Sequence, residues 1–121
     1  MSGSPRNHHL GAYGERVAAQ RLVEGGMVLV DRNWRCDLGE VDLVLRDGET
    51  LVFCEVKTRT SAAYGHPLEA VQQAKFARLR RLAARWLEEH RVRAGEVRID
   101  LVGVLVADRG AAEVEHLRGV G

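Results

Sequence analysis

The sequence predicts an α/β domain in which one mixed sheet carries helices, in the order αβββαββ. Three features point there. Residues 39–57, GEVDLVLRDGETLVFCEVK, read as strand, tight turn and strand. Residues 10–22 and 67–91 repeat apolar side chains at helical spacing. A strand at residues 97–106 follows the longer helix, which makes that helix a crossover between parallel strands.

Residues 1–9 are polar and read as a disordered leader to a single domain at 10–121. Leu10, Tyr13, Gly14, Val17, Ala18 and Leu22 then form one apolar stripe, and Gly25-Gly26 ends the helix. Glu15 lies at the border of that stripe, where a solvated carboxylate is the ordinary expectation. Residues 27–34 are the first strand, closed by Asn33-Trp34-Arg35, and a loop through Asp37-Leu38 leads on.

The hairpin at 39–57 concentrates the chemistry. Strand side chains alternate faces, so Glu55 and Lys57 share a face with Val56 on the other. Gly48-Glu49 suits a two-residue loop of type II′. That register sets Asp42 opposite Glu55, with Cβ atoms roughly 4.5–5.5 Å apart. An Asp47-Gly48 loop sets Glu40 there instead, and a three-residue loop flips the parity. The flanking residues, Leu43, Val44, Leu51, Val52, Phe53 and Val56, are apolar on both faces, as in a buried strand pair. Opposed buried carboxylates are costly and need an offset. A divalent cation with oxygen ligands supplies one. An ion-pair network through Lys57 or a nearby Arg supplies another.

After Lys57, TRTSAAYGH is a loop, and Pro67 opens the second helix with Glu69 in its first turn. The inward stripe is Leu68, Val71, Leu79, Leu82, Ala83 and Trp86. Gln72 and Lys75 fall inside it, two long polar groups on a core face. Arg78, Arg81 and Arg85 face outward, where they suit either phosphate contacts or plain solvation. Gly95 breaks the chain before the 97–106 strand, whose one acid is Asp100. Residues 112–117 form the last strand.

Composition narrows the function classes. A chain of 121 residues, 45% hydrophobic and 29% charged, is an ordinary globular domain. It has no apolar run of membrane length and no secretory leader, so a cytoplasmic protein with no membrane partner is expected. Cys36, in a loop, and Cys54, in the apolar strand, lack metal-ligand spacing, and Cys54 reads as a buried free thiol. Net charge is +1, which gives no global basic signal for nucleic acid. Of 18 Lys and Arg residues only Lys57 and Lys75 are lysines. In an arginine-rich background, a retained lysine marks a place where a planar, always protonated guanidinium does not substitute.

An acid on the first helix (Glu15), an Asp on the second strand (Asp42) and Glu55-Val56-Lys57 on the third resemble the restriction-endonuclease-like PD-(D/E)xK nuclease superfamily. Order and spacing are closest to its Holliday-junction-resolvase branch. More closely, the chain is similar to the YraN family of small bacterial proteins, predicted to be nucleases of this fold. The matching stretches are Gly14-Glu15, Asn33-Trp34-Arg35, Gly39-Glu40-Val41-Asp42, the run from Val52 to Arg59, and Gly65 through Lys75. Gln72 with Phe76 is similar to the Gln-x-x-x-aromatic helix motif of some of these nucleases. Val41 stands where the motif's proline would be; many members lack that proline.

The resemblance implies a restriction-endonuclease-like αβββαβ core and Mg²⁺- or Mn²⁺-dependent hydrolysis of DNA phosphodiesters, with branched or junction DNA as the substrate. Glu15, Asp42, Glu55 and Lys57 would be catalytic. Asp42, Glu55 and the Val56 backbone carbonyl would hold the metal, with Glu15 acting through water or a second ion. Gln72, Lys75, Arg59 and Arg78 would contact phosphates. A junction resolvase is expected to be a homodimer, since it cuts two symmetric strands. Two other readings stay open: a nucleic-acid-binding module of this fold with little activity, and an interaction protein whose acids form a structural network.

Overall fold

A computed structural model describes residues 5–60 and 73–120. Helix α1 spans Pro5–Glu24, followed by strands β1 (Val28–Cys36), β2 (Gly39–Asp47) and β3 (Thr50–Arg59). Helix α2 (Gln73–His90), β4 (Glu96–Leu105) and β5 (Glu113–Leu117) complete the chain. The order is the expected αβββαββ, and the five strands form one sheet in sequence order. β3 and β4 are parallel along ten residue pairs, from Thr50↔Glu96 to Arg59↔Leu105, and every other neighbour is antiparallel. The fold is therefore α/β with a mixed sheet flanked by two helices, consistent with a restriction-endonuclease-like core.

Each helix covers one face of the sheet. Ala18, Ala19 and Leu22 of α1 pack with Leu43, Leu45, Val52, Cys54, Val102 and Val104. Phe76, Leu79, Leu82, Ala83 and Trp86 of α2 pack with Val44, Leu51, Phe53, Ile99 and Leu101 on the other face. This accounts for the continuous apolar runs of β2 to β4, whose side chains are buried in both directions. Close approach of α1 needs Gly14, because a Cβ there would collide with the Thr58 side chain, its methyl 2.8 Å away. Among the described residues no helix is long and apolar enough to cross a membrane.

Several boundaries differ from the sequence expectation. Helix α1 begins at Pro5, so residues 5–9 are helical rather than part of a disordered leader. β1 continues past Trp34 to Cys36, which places Cys36 at a strand end instead of in a loop. Both cysteines are free, and Cys54 is fully buried, as expected. Pro67, Leu68, Glu69, Val71 and Gln72, where the sequence places the start of the second helix, lie outside the described residues.

The β2–β3 register is the type II′ alternative. Asp47 pairs with Thr50 and Arg46 with Leu51, and of the two loop residues only Gly48 has positive φ, at 63°. The ladder stops at Leu43↔Cys54. Beyond it, β2 continues against β1 as far as Gly39, and β3 against β4 as far as Arg59. The sheet thus forks between β2 and β3, and the fork opens at Asp42.

Candidate active site at the β2–β3 fork

Asp42 is the centre of the fork. Its side chain is only 9% exposed, and its Oδ2 accepts a hydrogen bond from the Val56 backbone N–H at 2.8 Å. The carboxyl takes the place of the next ladder partner. Burial first, and then the negative charge of Glu55, push its pKa up to about 8; Glu15 and Glu40 add to this, and the Val56 N–H opposes it. Asp42 and Glu15 are also joined by a side-chain hydrogen bond, which works against the rise in the Glu15 pKa.

Glu15 reaches the fork from α1. Burial and the nearby Glu40 raise its pKa, while hydrogen bonds from Asp42 and Asn33 work the other way. On the α2 side, Lys75 Nζ lies 3.2 Å from Glu55 Oε2. Lys57 follows on the same strand face as Glu55. Its hydrogen bond with Lys75, then burial, then the Lys75 charge hold Lys57 below the usual lysine range. The same hydrogen bond raises Lys75, helped by Glu55. The only two lysines of the chain thus abut each other at the acids.

The fork therefore gathers groups from both faces of the sheet: Glu15 from one, Glu55, Lys57 and Lys75 from the other, with Asp42 between. Glu15 and Lys57 also line an open cleft of about 440 Å³ with Gly11, Val56, Thr58 and Arg59. Arg78 is exposed on α2, and its stem passes the start of β2, where a Cβ on Gly39 would sit 3.5 Å from its Cδ. Arg85, expected on a free outward face with Arg78, is instead bound to Asp37 at 2.7 Å. Gln72 lies outside the described residues.

The donors at the fork are hard carboxylate oxygens, the chemistry that suits Mg²⁺ or Mn²⁺. Among the described residues no three of His, Cys, Asp and Glu converge as a ready-made cage. Two carboxylates and a carbonyl suffice for an ion that keeps several waters. The Val56 carbonyl leaves the strand on the same side as its N–H, toward Asp42. Burial raises the pKa of Asp42 first and its acidic neighbours raise it further, and a cation there would relieve that repulsion.

Sequence comparison bears on the same residues. The Uncharacterised protein family UPF0102 matches residues 14–104, three quarters of the chain and every group at the fork. The chain belongs to the UPF0102 family. A UPF0102 protein of Beutenbergia cavernae is 68% identical over 112 residues, covering 93% of this chain and 95% of its own. UPF0102 proteins of Nocardioides sp. and Streptomyces griseus are 60% and 59% identical, covering 93% and 92% of this chain and 90% and 94% of their own. This is the YraN membership that the sequence stretches pointed to. The UPF0102 match opens at Gly14, where α1 touches β3, and closes in β4, so it contains the whole fork.

Two further groups stand at the fork: Glu40, which the sequence offered only as the partner of Glu55 under an Asp47-Gly48 loop, and Asn33, which no side-chain pattern singles out. Glu40 adds to the negative charge at Asp42 and Glu15 while paired to Arg35 at 3.4 Å. Asn33 hydrogen-bonds Glu15 from β1. Only the matching stretch Asn33-Trp34-Arg35 carried a hint of the second.

Proposed function

We propose that this protein is a divalent-metal-dependent endonuclease of the restriction-endonuclease-like superfamily, hydrolysing DNA phosphodiesters at the β2–β3 fork. Asp42 carries the proposal: a buried carboxyl beside the acids Glu15, Glu40 and Glu55, whose Oδ2 accepts a hydrogen bond from a backbone amide. A purely structural acid cluster would be expected to place a cation on its most buried member.

Asp42, Glu55 and the Val56 carbonyl would hold Mg²⁺ or Mn²⁺, with Glu15 acting through water or a second ion. Such an ion supplies a nucleophilic water, neutralises developing charge and supports the leaving oxygen. Lys57 has the lowered basicity and the position to orient or deprotonate the attacking water. Lys75, Gln72, Arg59 and Arg78 would hold the phosphates on either side. Branched or junction DNA is the substrate class, cut by a homodimer, for which the β5 edge is one candidate pairing surface.

Cleavage of labelled linear, single-stranded, flapped and four-way-junction DNA with Mg²⁺ or Mn²⁺ tests this. Metal-dependent cutting by the wild type and none by Asp42→Ala or Lys57→Ala is the expected result. No cutting of any substrate, together with no metal binding, would overturn it. The Lys75–Glu55 ion pair favours one rival, an interaction protein with a structural acid–base network. That network would respond to pH and not to divalent ions.

A further inference from the structure

Strand β1 contains a bulge whose position matters for the fork. Leu29 pairs with Leu45, yet Asp31 pairs with Val44, so Val30 is one residue in excess. After the bulge, Arg32 pairs with Leu43 and Trp34 with Val41. Asn33 therefore falls opposite Asp42. Without the extra residue, Arg32 would stand there.

Asn33 also departs from strand geometry. Its φ is 52°, the left-handed region, in the interior of a nine-residue strand. Among non-glycine residues Asn is one of the few that enter this region readily. Backbone strain of this kind is unfavourable for most residues and persists where the surroundings demand it. Its amide hydrogen-bonds Glu15, and the two side chains line a small cavity of about 70 Å³ with Arg16 and Arg32. Bulge, left-handed backbone and hydrogen bond all turn one amide toward the acid that α1 delivers.

We infer that Asn33 is a positioning residue for the fork: its side-chain N–H fixes the Glu15 carboxylate against Asp42. The catalytic consequence rests on the nuclease reading; the positioning itself does not. A neutral donor suits the task, because a guanidinium there would compete with a cation for the acids. The arrangement parallels the outer hydrogen bonds that orient ligands at metal sites, whose loss weakens metal affinity or activity about 10–100-fold.

Asn33→Gly is the discriminating variant, since glycine keeps the left-handed backbone and removes only the amide. Three quantities are read on wild type, Asn33→Gly and Asn33→Asp: melting temperature, the Glu15 side-chain rotamer from NMR couplings in metal-free protein, and Mn²⁺ affinity. Asn33→Gly is expected to melt like the wild type, to lose the fixed Glu15 rotamer and to bind Mn²⁺ about 10-fold or more weakly. Asn33→Asp, which has an acceptor in place of the donor, is expected not to restore the rotamer. A Glu15 rotamer unchanged in Asn33→Gly would overturn the inference and leave Asn33 a turn residue only. A rotamer lost in Asn33→Gly, with no Mn²⁺ binding by the wild type, would uphold the positioning role and overturn the nuclease reading instead.

Discussion

The Val56 backbone N–H donates to Asp42 Oδ2 at 2.8 Å at the point where β2 and β3 cease to pair. A side chain there replaces a strand neighbour. The exchange keeps a buried amide satisfied, which the sheet requires. It also holds a carboxyl in the plane of the sheet, within reach of groups from both faces.

Asp42 makes the metal-free protein pH-sensitive in an unusual direction. Its pKa is raised from 3.8 to about 8, so the folded state binds the proton more tightly than the unfolded chain. This contribution to stability is full below the unfolded value and falls as pH rises toward about 8. Asp42→Asn removes the titration and keeps an acceptor for Val56. The variant should gain on the wild type as pH rises, by at most about 6 kcal/mol. Urea unfolding at a series of pH values checks this; a constant difference would contradict it.

Lys57→Ala should reduce single-turnover cleavage by about 10²–10⁴ while metal binding persists. Lys57→Arg should not restore the rate, because a guanidinium stays protonated and cannot take the proton of the attacking water. Parallel Mn²⁺ titrations separate lost chemistry from a lost site.

Gly14 and Thr58 form the contact that brings Glu15 to β3. Gly14→Ala should destabilise the fold by about 1–3 kcal/mol, as overpacking does. Thr58→Ala alone should cost less, and combined with Gly14→Ala it should recover much of the loss. Denaturant midpoints of the four proteins measure the coupling.

Asp100 titrates the other way. Fully buried on β4, it is pushed up by burial but pulled down to about 2 by His116, Arg98 and the Gly119 N–H. Arg98 Nε donates to Oδ1 at 2.8 Å, His116 Nε2 lies 2.7 Å from Oδ2, and Gly119 N lies 3.0 Å from Oδ1. A depressed pKa gives stability that is present above about 3.8 and lost as pH falls toward about 2, worth about 2–3 kcal/mol. The group ties β5 and the segment after it to β4. Asp100→Asn should therefore raise amide exchange at Leu117 and Val120 before it affects β2 or β3.

Much of this architecture is legible in the chain itself. Gly48 sets the hairpin turn, the turn sets the register, and two-sided apolar runs mark strands buried on both faces. The parallel β4 follows from a helix too long for a hairpin. The fork does not follow, because an alternating pattern says which face a side chain takes and not where a ladder ends. The Val30 bulge is silent for the same reason, and with it the place of Asn33. Lys75 stood out as a polar group in an apolar stripe, but its partner Glu55 lies 20 residues away and needs the folded sheet. Arg85 looked free only because Asp37 belongs to another element.

The nuclease reading requires that the acids at the fork hold a divalent ion. Melting temperature against Mn²⁺ concentration at about pH 8, for wild type and Asp42→Asn, tests it most directly. Metal binding at the fork should give a rise in the wild type that grows with the metal and no rise in the variant. A wild type indifferent to Mn²⁺, or a variant that rises as much, would contradict it.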